Sequence, residues 1–508
     1  MSEKQNDAKA LKPADKLANA QNWKHLARWN GEGFYELRTE DTGDVRVRLF
    51  FTPQLLEAAE EILYRQIVNA TRFPGVRMVV ITPDAHYGYG VPVGCVLITD
   101  AREGAIAMGP VGYDIGCGMM SARSEVEAEA ATPERRLEFN RAVMERVNMG
   151  FGGKSRKLGR LSEAEFENLV RGGAEYYVEK YGATFDRSHA ERHRIPVDDD
   201  WRIPFGGKGR PERGREQMGS LGGGNHFIEL QRSNESGTLF VQVHTGSRGF
   251  GHGLATNYFE LAREEHPELL KDIDLGYFTP GSKYYRDYQN AVAAGGNYAI
   301  LNRLVIFEEV SEAFREVFGR ELELVYEISH NLVQKEWHPE FGDVWVHRKG
   351  ATRAFPAGHP FLKGTVWEEK GHPVLIPGSN KDWSYILRPL AGAERSGFSV
   401  NHGAGRRISR GEATRTLSQR EMDDEYREAG VVVNVDGRVP LDEAAPCYKP
   451  SEDVVAAVVG AGLAEIEHSL WPLASLKGVD ELKRRGRGRG KPDRKGGRSV
   501  GKKTSEHY

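Results

Sequence analysis

The chain has 508 residues, 39% hydrophobic and 28% charged, with a formal net charge of -3. That length and balance allow a large buried core, and no apolar run approaches membrane-spanning length, which excludes a chain built from transmembrane segments. Three scattered cysteines, Cys95, Cys117 and Cys447, exclude a disulfide framework and leave a reduced thiol free to bind metal.

The N-terminus, MSEKQNDAKALKPADK, is charged and polar, so residues 1–22 read as a flexible segment rather than a secretory signal, and the cytoplasm is the expected compartment. Thr52 and Pro53 have the character of a cap and first helical residue. Leu55, Leu56, Ala59, Ile62, Leu63 and Ile67 follow at helical spacing, predicting one core-facing helix. Short β-rich runs then end repeatedly in polar or glycine-rich turns: RMVVI before TPDAHYGYG, LFVQV before HTGSRG, ELVYEI before SHN, PVLI before PGSN, and FSV before NHGAGR. Strand ends that all carry chemistry are expected to meet in one place.

Between about 126 and 215 the pattern is helical and highly charged, from PERRLEFNRAVMERV to RIPFGGKGRPERGREQ, predicting an insertion or lobe beside the sheet core. Within it, His189 and His193 have the spacing of a helical zinc pair but lack the glutamate of HExxH, so they read as solvated helix. Ser451 is expected to cap a final helix through VVAAVV. The functional-looking turns run from Asp84 to Lys477, which makes 23–478 one integrated catalytic domain.

Residues 479–508 form a basic tail. Positions 483–503 alone hold 11 Lys or Arg against one Asp, leaving 59 basic and 72 acidic residues elsewhere. Repeated Gly and Arg cannot bury apolar surface, so the tail is predicted to be disordered. It would either attract nucleic-acid phosphate without reading sequence or act as a solvated solubility tail. Its GGRSVGKKT segment approaches a P-loop, but Lys503 stands where Ser or Thr must ligate magnesium.

Asp114 and Cys117 sit three residues apart in GPVGYDIGCGMM, where glycines let backbone and ligands close around an ion. A turn-forming Asp and a buried Cys are each common, so the pair alone identifies nothing. GGGNHFIELQ, VQVHTGSRG and YEISHN add His226, His244 and His330 in similar settings. Five candidate ligands result, and a thiolate can bridge two ions suited to phosphoryl chemistry. His402 in SVNHGAGR is of another kind. Small residues after it expose backbone N–H groups and Arg406 offers an oxyanion partner, so the imidazole is a candidate nucleophile toward phosphorus. PGSNKDWSY, HRKGATRA and PLASLKG contribute further polar groups for a nucleotide: Ser379 and Ser384, then Arg348, Lys349 and Arg353, then Lys477.

In that order, PDAHYGYG, GYDIGCGM, GGGNHFIE, HTGSRG, SHN, HRKGATRAFPAGHP, IPGS, HGAGR and the late LKG resemble the signatures of the RtcB family of RNA ligases, over roughly residues 77–478. The resemblance implies an α+β fold: a single catalytic domain with a mixed β-sheet core, surrounding helices and a metal-centred cleft. It implies Asp114, Cys117, His226, His244 and His330 as ligands of two manganese ions sharing Cys117, and His402 as the guanylate acceptor from the cosubstrate GTP. Asn225, His226, Phe227, Ile228, Glu229, His330, Asn331, Pro377, Gly378, Ser379, Asn380, Ser384, His402, Gly403, Ala404, Gly405 and Lys477 would surround the GMP. Asp84, Arg248, Arg348, Lys349, Arg353 and Arg406 are candidate contacts to RNA or phosphate.

The implied substrates are RNA 3'-phosphate or 2',3'-cyclic phosphate ends and 5'-hydroxyl ends, joined in tRNA splicing or RNA repair. A monomer, an archease-type activator and no membrane partner are expected. The sequence departs from the family pattern at Asn401, at NKD after PGS, over about 150–215 and beyond Lys477, places that bear on which RNA ends approach. Three other readings predict different outcomes. A paralogue that caps 3'-phosphates without efficient sealing would stop at the guanylylated end, a metal phosphohydrolase or nuclease would form no covalent nucleotide, and an RNA-binding protein without catalysis would not turn over.

Overall fold

The computed structural model describes residues 17–150, 155–183, 185–189, 194–269 and 273–478. Two large sheets carry the fold. The first runs, in spatial order, Ala27–Trp29, Tyr35–Leu37, Arg46–Leu49, Val76–His86, Val93–Asp100, Gly342–Lys349 and Asn331–His338. The second runs Glu323–Ser329, Gly118–Glu127, Thr238–Thr245, Phe227–Ser233, Ala464–Lys477, Ser384–Pro389 and Val374–Ile376, with Val432–Val433 joined parallel to Ala464–Lys477. Most pairings are antiparallel, yet Val76–His86 is buried along nearly its whole length. Cover on both faces explains why its apolar run is continuous instead of alternating.

The sheets meet at one residue. Glu323–Ser329 belongs to the second sheet and Asn331–His338 to the first, so His330 is the crossing point between them. Its backbone N–H donates to the Cys117 carbonyl at 2.7 Å, and Gly116 N–H donates to the Asn331 carbonyl at 2.7 Å. The loop that carries Asp114 and Cys117 is thereby pinned to the seam.

Behind the seam lies the helix Tyr285–Phe318, 34 residues long and buried around most of its circumference. An apolar helix of that kind belongs inside a large core rather than on a surface. Small residues at its centre admit the Asp114–Cys117 loop. A side chain at Gly116 would meet the Ala299 Cβ at 2.8 Å and the Gly296 Cα at 3.1 Å. Gly319, at φ +71°, terminates the helix in the left-handed region.

Several local expectations change. The helix predicted after Thr52 is two helices, Pro53–Glu57 and Glu61–Ala70, separated where Glu60 turns extended. Thr52 does cap the first, accepting from Leu55 N–H at 3.2 Å, but the break shifts the helical phase and leaves Ile62 42% exposed. Ser451 is the first residue of Ser451–Gly460, and the acceptor for its N–H is Asp382 Oδ2, at 2.8 Å, from another segment. His189 lies in a short 3-10 turn with its ring against Trp367 and its Nδ1 2.8 Å from the Leu324 carbonyl, so it is not on a solvated helix. His193 lies outside the described residues, as do the P-loop-like segment and the basic tail.

The charged stretch does not stand beside the core. Pro133–Arg146 and Glu163–Tyr181 pack onto the long helix, with Phe139 against Phe314 and Phe318 and Phe166 against Tyr298 and Phe250. Their apolar faces join the same hydrophobic cluster as the second sheet. At the other end, residues 17–22 are held rather than flexible, since Ala18 and Asn19 donate their N–H groups to the Asp41 carboxylate, both at 2.9 Å. No helix among the described residues is long and apolar enough to cross a membrane.

Candidate active site

Four of the turns singled out in the sequence meet at the seam. Cys117 precedes the strand Gly118–Glu127, His226 precedes Phe227–Ser233, His244 lies near the end of Thr238–Thr245, and His330 is the crossing residue. Antiparallel pairing sets Met119 and Phe227 opposite His244, which brings the three strand ends level.

Cys117 Sγ lies 3.3 Å from His244 Nε2 and 3.6 Å from His226 Nε2. His226 Nε2 is 3.2 Å from Asp114 Oδ2, and His244 Nε2 is 3.3 Å from His330 Nε2. The donors fall into two groups, Asp114–Cys117–His226 and Cys117–His244–His330, each with its ligand atoms within 4.8 Å of one another. Cys117 belongs to both. The far side of two rings is fixed by backbone: His226 Nδ1 is 2.9 Å from the Leu221 carbonyl and His244 Nδ1 is 3.1 Å from the Asn225 carbonyl. A proton on each Nδ1 leaves Nε2 as a lone-pair donor, the arrangement a metal-binding imidazole requires.

Burial is the largest influence on the protonation of these groups. Burial, with neighbouring imidazoles adding to it, holds His244 and His330 well below the ordinary histidine range and so neutral. Burial and then the Asp114 carboxylate push the Cys117 thiol well up. A divalent cation between these donors would reverse that penalty and favour the thiolate. The residues present therefore fit two metal ions with a shared sulfur.

His402 follows the short strand Ser399–Asn401, and its ring centroid is 4.9 Å from that of His330. Asp84, at the buried end of Val76–His86, reaches it from the first sheet. Asp84 Oδ2 is 2.6 Å from His402 Nδ1 and accepts the backbone N–H groups of His402 at 3.0 Å and Gly403 at 3.3 Å, while Thr82 donates to Oδ1 at 2.6 Å. Burial alone would raise the Asp84 carboxyl, but the His402 charge and these hydrogen bonds outweigh it and hold the group below its usual range. Gly405 makes this close approach possible: at φ +77°, a Cβ there would lie 2.1 Å from the Asp84 carbonyl oxygen.

A second group of polar side chains lies along the second sheet. Lys477 Nζ sits 5.0 Å from the centre of the Phe227 ring and 3.4 Å from Glu443 Oε2. Burial raises the Glu229 carboxyl to about 7, and Gln231 Nε2 donates to it at 2.7 Å. Ser384 Oγ accepts from Gly378 N–H at 3.0 Å and from Gln231 Nε2 at 3.1 Å. Asn380 Oδ1 accepts from the Tyr426 hydroxyl, while its buried Nδ2 has no protein acceptor. An orphaned buried amide donor is what a polar ligand would satisfy. Asn331 bridges the two halves, donating to the Asp114 carbonyl at 3.3 Å and accepting from Gly350 N–H at 2.8 Å.

Other candidates are placed differently. The Ile228 side chain lies in the hydrophobic core. Arg348 is buried and forks onto Glu336, with Ser399 Oγ at 2.9 Å. Arg353 is buried over the Phe355 ring and donates to Gln334 at 3.1 Å. Arg406 bonds Glu443 and the Tyr448 hydroxyl, each at 3.2 Å, and Lys349 Nζ bonds the carbonyls of Tyr89 at 2.6 Å and Val91 at 3.1 Å. Arg248 donates to Ser220 Oγ at 3.3 Å and the Gly150 carbonyl at 3.1 Å. Asp84, a candidate contact to RNA or phosphate from the sequence, lies under His402. Sequence reasoning passed over Glu443, Tyr426 and Arg303 entirely, because nothing in their local sequence marks them.

Comparison with known proteins agrees with this geometry. The family model described as "tRNA-splicing ligase RtcB" matches residues 66–478. The chain is 36% identical over 466 residues to the tRNA-splicing ligase RtcB of Pyrobaculum aerophilum, covering 85% of this chain and 95% of that protein. It is 36% identical over 461 residues to the protein of the same name from Thermococcus kodakarensis, covering 85% and 94%. With the RNA-splicing ligase RtcB of Mycobacterium tuberculosis it shares 34% identity over 440 residues, covering 81% of this chain and all of that one. From the strand ends that gather the donors to the match along nearly all the described residues, the chain belongs to the RtcB family.

Proposed function

We propose that this protein is a GTP-dependent RNA ligase that joins a 3'-phosphate or 2',3'-cyclic phosphate end to a 5'-hydroxyl end, with His402 as a transient guanylate acceptor. The observation that carries the reading is the Asp84–His402 contact of 2.6 Å, set beside the two donor groups that share Cys117. Asp84 accepts from Nδ1–H, which fixes the tautomer and leaves His402 Nε2 as a free nucleophile.

Two manganese ions, one on Asp114, Cys117 and His226 and one on Cys117, His244 and His330, would neutralise phosphate charge when bound. Asp, Cys and His accept zinc and cobalt as well, so manganese is part of the proposal. His402 Nε2 attacks the α-phosphorus of GTP, forming a P–N bond as the bond to pyrophosphate breaks, and Asp84 stabilises the charge that the ring acquires. Water first opens a 2',3'-cyclic phosphate, breaking its bond to the 2'-oxygen; the 3'-phosphate of the RNA then attacks the guanylate phosphorus, the P–N bond breaks, and an RNA-ppG end results. A 5'-hydroxyl oxygen finally attacks the RNA phosphorus and GMP leaves. The order follows from leaving groups: a phosphate monoester has a poor one, and guanylylation supplies a good one.

Phe227, Glu229, Asn380, Ser384 and Lys477 are the residues that would hold the guanine nucleotide. Guanine presents two donors on one edge, suited to the Glu229 carboxylate. The same reading takes the chain as a cytoplasmic monomer served by an archease-type activator, acting in tRNA splicing or RNA repair.

Incubation with α-labelled GTP and manganese, followed by denaturation, is expected to leave label on the wild-type chain and none on His402→Ala. Equal labelling of both would remove His402 as the acceptor. Adding RNA with a 3'-phosphate and a 5'-hydroxyl should convert the label to free GMP with a joined product. Accumulation of RNA-ppG without joining would instead identify a capping enzyme.

A further inference from the structure

Arg303 lies on the long helix behind the metal-binding side chains, makes its hydrogen bonds to other groups, and is completely buried. Its Nη1 donates to the Gly116 carbonyl at 2.8 Å and to the Thr245 carbonyl at 2.9 Å, and its Nη2 donates to Ser329 Oγ at 2.8 Å. Nε pairs with Glu327, which is also fully buried. The acceptors have a common feature: Gly116 precedes Cys117, Thr245 follows His244, and Ser329 precedes His330. One guanidinium thus reaches the chain neighbours of all three donors in the Cys117–His244–His330 group.

Stability is a poor explanation for such a residue. A buried arginine–glutamate pair gains little over well-packed apolar side chains, because both charges must leave water. What the planar fork supplies is geometry, since its donors point in fixed directions that a lysine cannot reproduce. The adjacent Asn302 extends the bracing to the other donor group. Its Nδ2 reaches Ser220 O at 3.1 Å, Thr245 Oγ1 at 3.2 Å and Gly246 O at 3.2 Å. Thr245 Oγ1 in turn donates at 2.7 Å to the Leu221 carbonyl, the atom that orients His226.

We propose that Arg303 is the positioning residue of the metal centre, holding three separate backbone segments so that Cys117, His244 and His330 converge on one ion. The inference rests on the metal-binding reading of those side chains. Residues that orient metal ligands typically change affinity by about 10-fold to 100-fold when removed. Ser329 offers the narrowest intervention: Ser329→Ala removes a single acceptor next to His330 and leaves the Asp114–Cys117–His226 group untouched.

The test is titration of the full-length protein with Co(II), followed by visible absorption and by the cobalt-thiolate charge-transfer band, with folding checked by circular dichroism. Wild type is expected to bind two ions. Ser329→Ala should weaken one of the two by about 10-fold and leave the other unchanged. Arg303→Lys, which keeps the charge but loses the fork, should weaken the same site at least as much and alter its spectrum. Two sites at wild-type affinity with an unchanged spectrum in a folded Ser329→Ala or Arg303→Lys protein would overturn the proposal. So would equal weakening of both sites in Ser329→Ala, which marks general loosening. Should Arg303→Lys fail to fold, Ser329→Ala alone decides. A wild-type protein that binds no Co(II) would overturn the metal reading itself, a different result from intact binding in the variants.

Discussion

Asp84 and His402 are separated by 318 positions in the chain, yet the carboxylate makes three contacts to the HGAGR turn. An amide at that position can satisfy the ring nitrogen in the wrong tautomer. Asp84→Asn is therefore expected to slow single-turnover formation of the labelled protein on the order of 100-fold while leaving the fold intact. A rate within twofold of wild type would show that the carboxylate is not needed. Glu229 gives a pH signature. Its carboxyl titrates near 7 in the folded chain, against a reference of 4.5, because burial penalises the charge. A raised acid is stabilising while protonated, so this contribution to stability falls as pH rises from 4.5 through about 7. Guanine donors need the ionised form, so GTP affinity moves the other way, rising about 10-fold between about pH 6 and 8 as the group ionises. Glu229→Gln should flatten that profile in a fluorescence titration with a guanine nucleotide.

At the scale of elements, the long helix does more than fill the core. Asn297, which precedes Asn302 and Arg303 on the same helix, accepts from Ile195 N–H at 2.7 Å and donates to the carbonyls of Val170 at 2.8 Å and Ile195 at 2.9 Å. These bonds tie the charged stretch to the helix that backs the proposed metal ligands. Asn297→Ala removes three hydrogen bonds, one of them fully buried, and should cost about 2–4 kcal/mol, read as a lower midpoint in urea. An unchanged midpoint would mean that the stretch is held by its apolar face alone. The charge pattern of 126–215 concealed that face, because Phe139, Val143, Phe166 and Leu169 are interleaved with many charged residues. The break at Glu60 was similarly unreadable, since the apolar spacing continues across it.

For the whole molecule, Glu443 joins distant parts. It receives Arg410 at 2.7 Å, Arg406 at 3.2 Å and Lys477 at 3.4 Å, linking the HGAGR turn to the last strand of the described chain. Burial would raise its carboxyl, but these cations hold it at about 2, below the reference of 4.5. A depressed acid contributes stability that is present above 4.5 and lost as pH falls toward about 2. Thermal melts of wild type should show that loss, and Glu443→Gln should be less stable at neutral pH with a flatter acid limb. The basic tail makes its prediction through charge alone. Removal of residues 479–508 is expected to preserve guanylylation but to weaken RNA binding at low salt and reduce its salt slope. Unchanged affinity and slope would leave the tail a solubility element.

The sequence by itself determined the inventory of chemistry: which histidines stand in glycine-rich turns, where a lone thiol lies beside a carboxylate, and that short strands end in these turns. Those properties are local, set by side-chain type and by backbone preferences over a few residues. Tertiary structure alone decided the partnerships. It placed Asp84 beneath His402, turned Arg348 and Arg353 into the protein, and set one buried arginine against the chain neighbours of Cys117, His244 and His330. Such contacts cross hundreds of positions and depend on how two sheets meet at His330, a geometry fixed by the packing of both sheets against the long helix and legible in none of the segments alone.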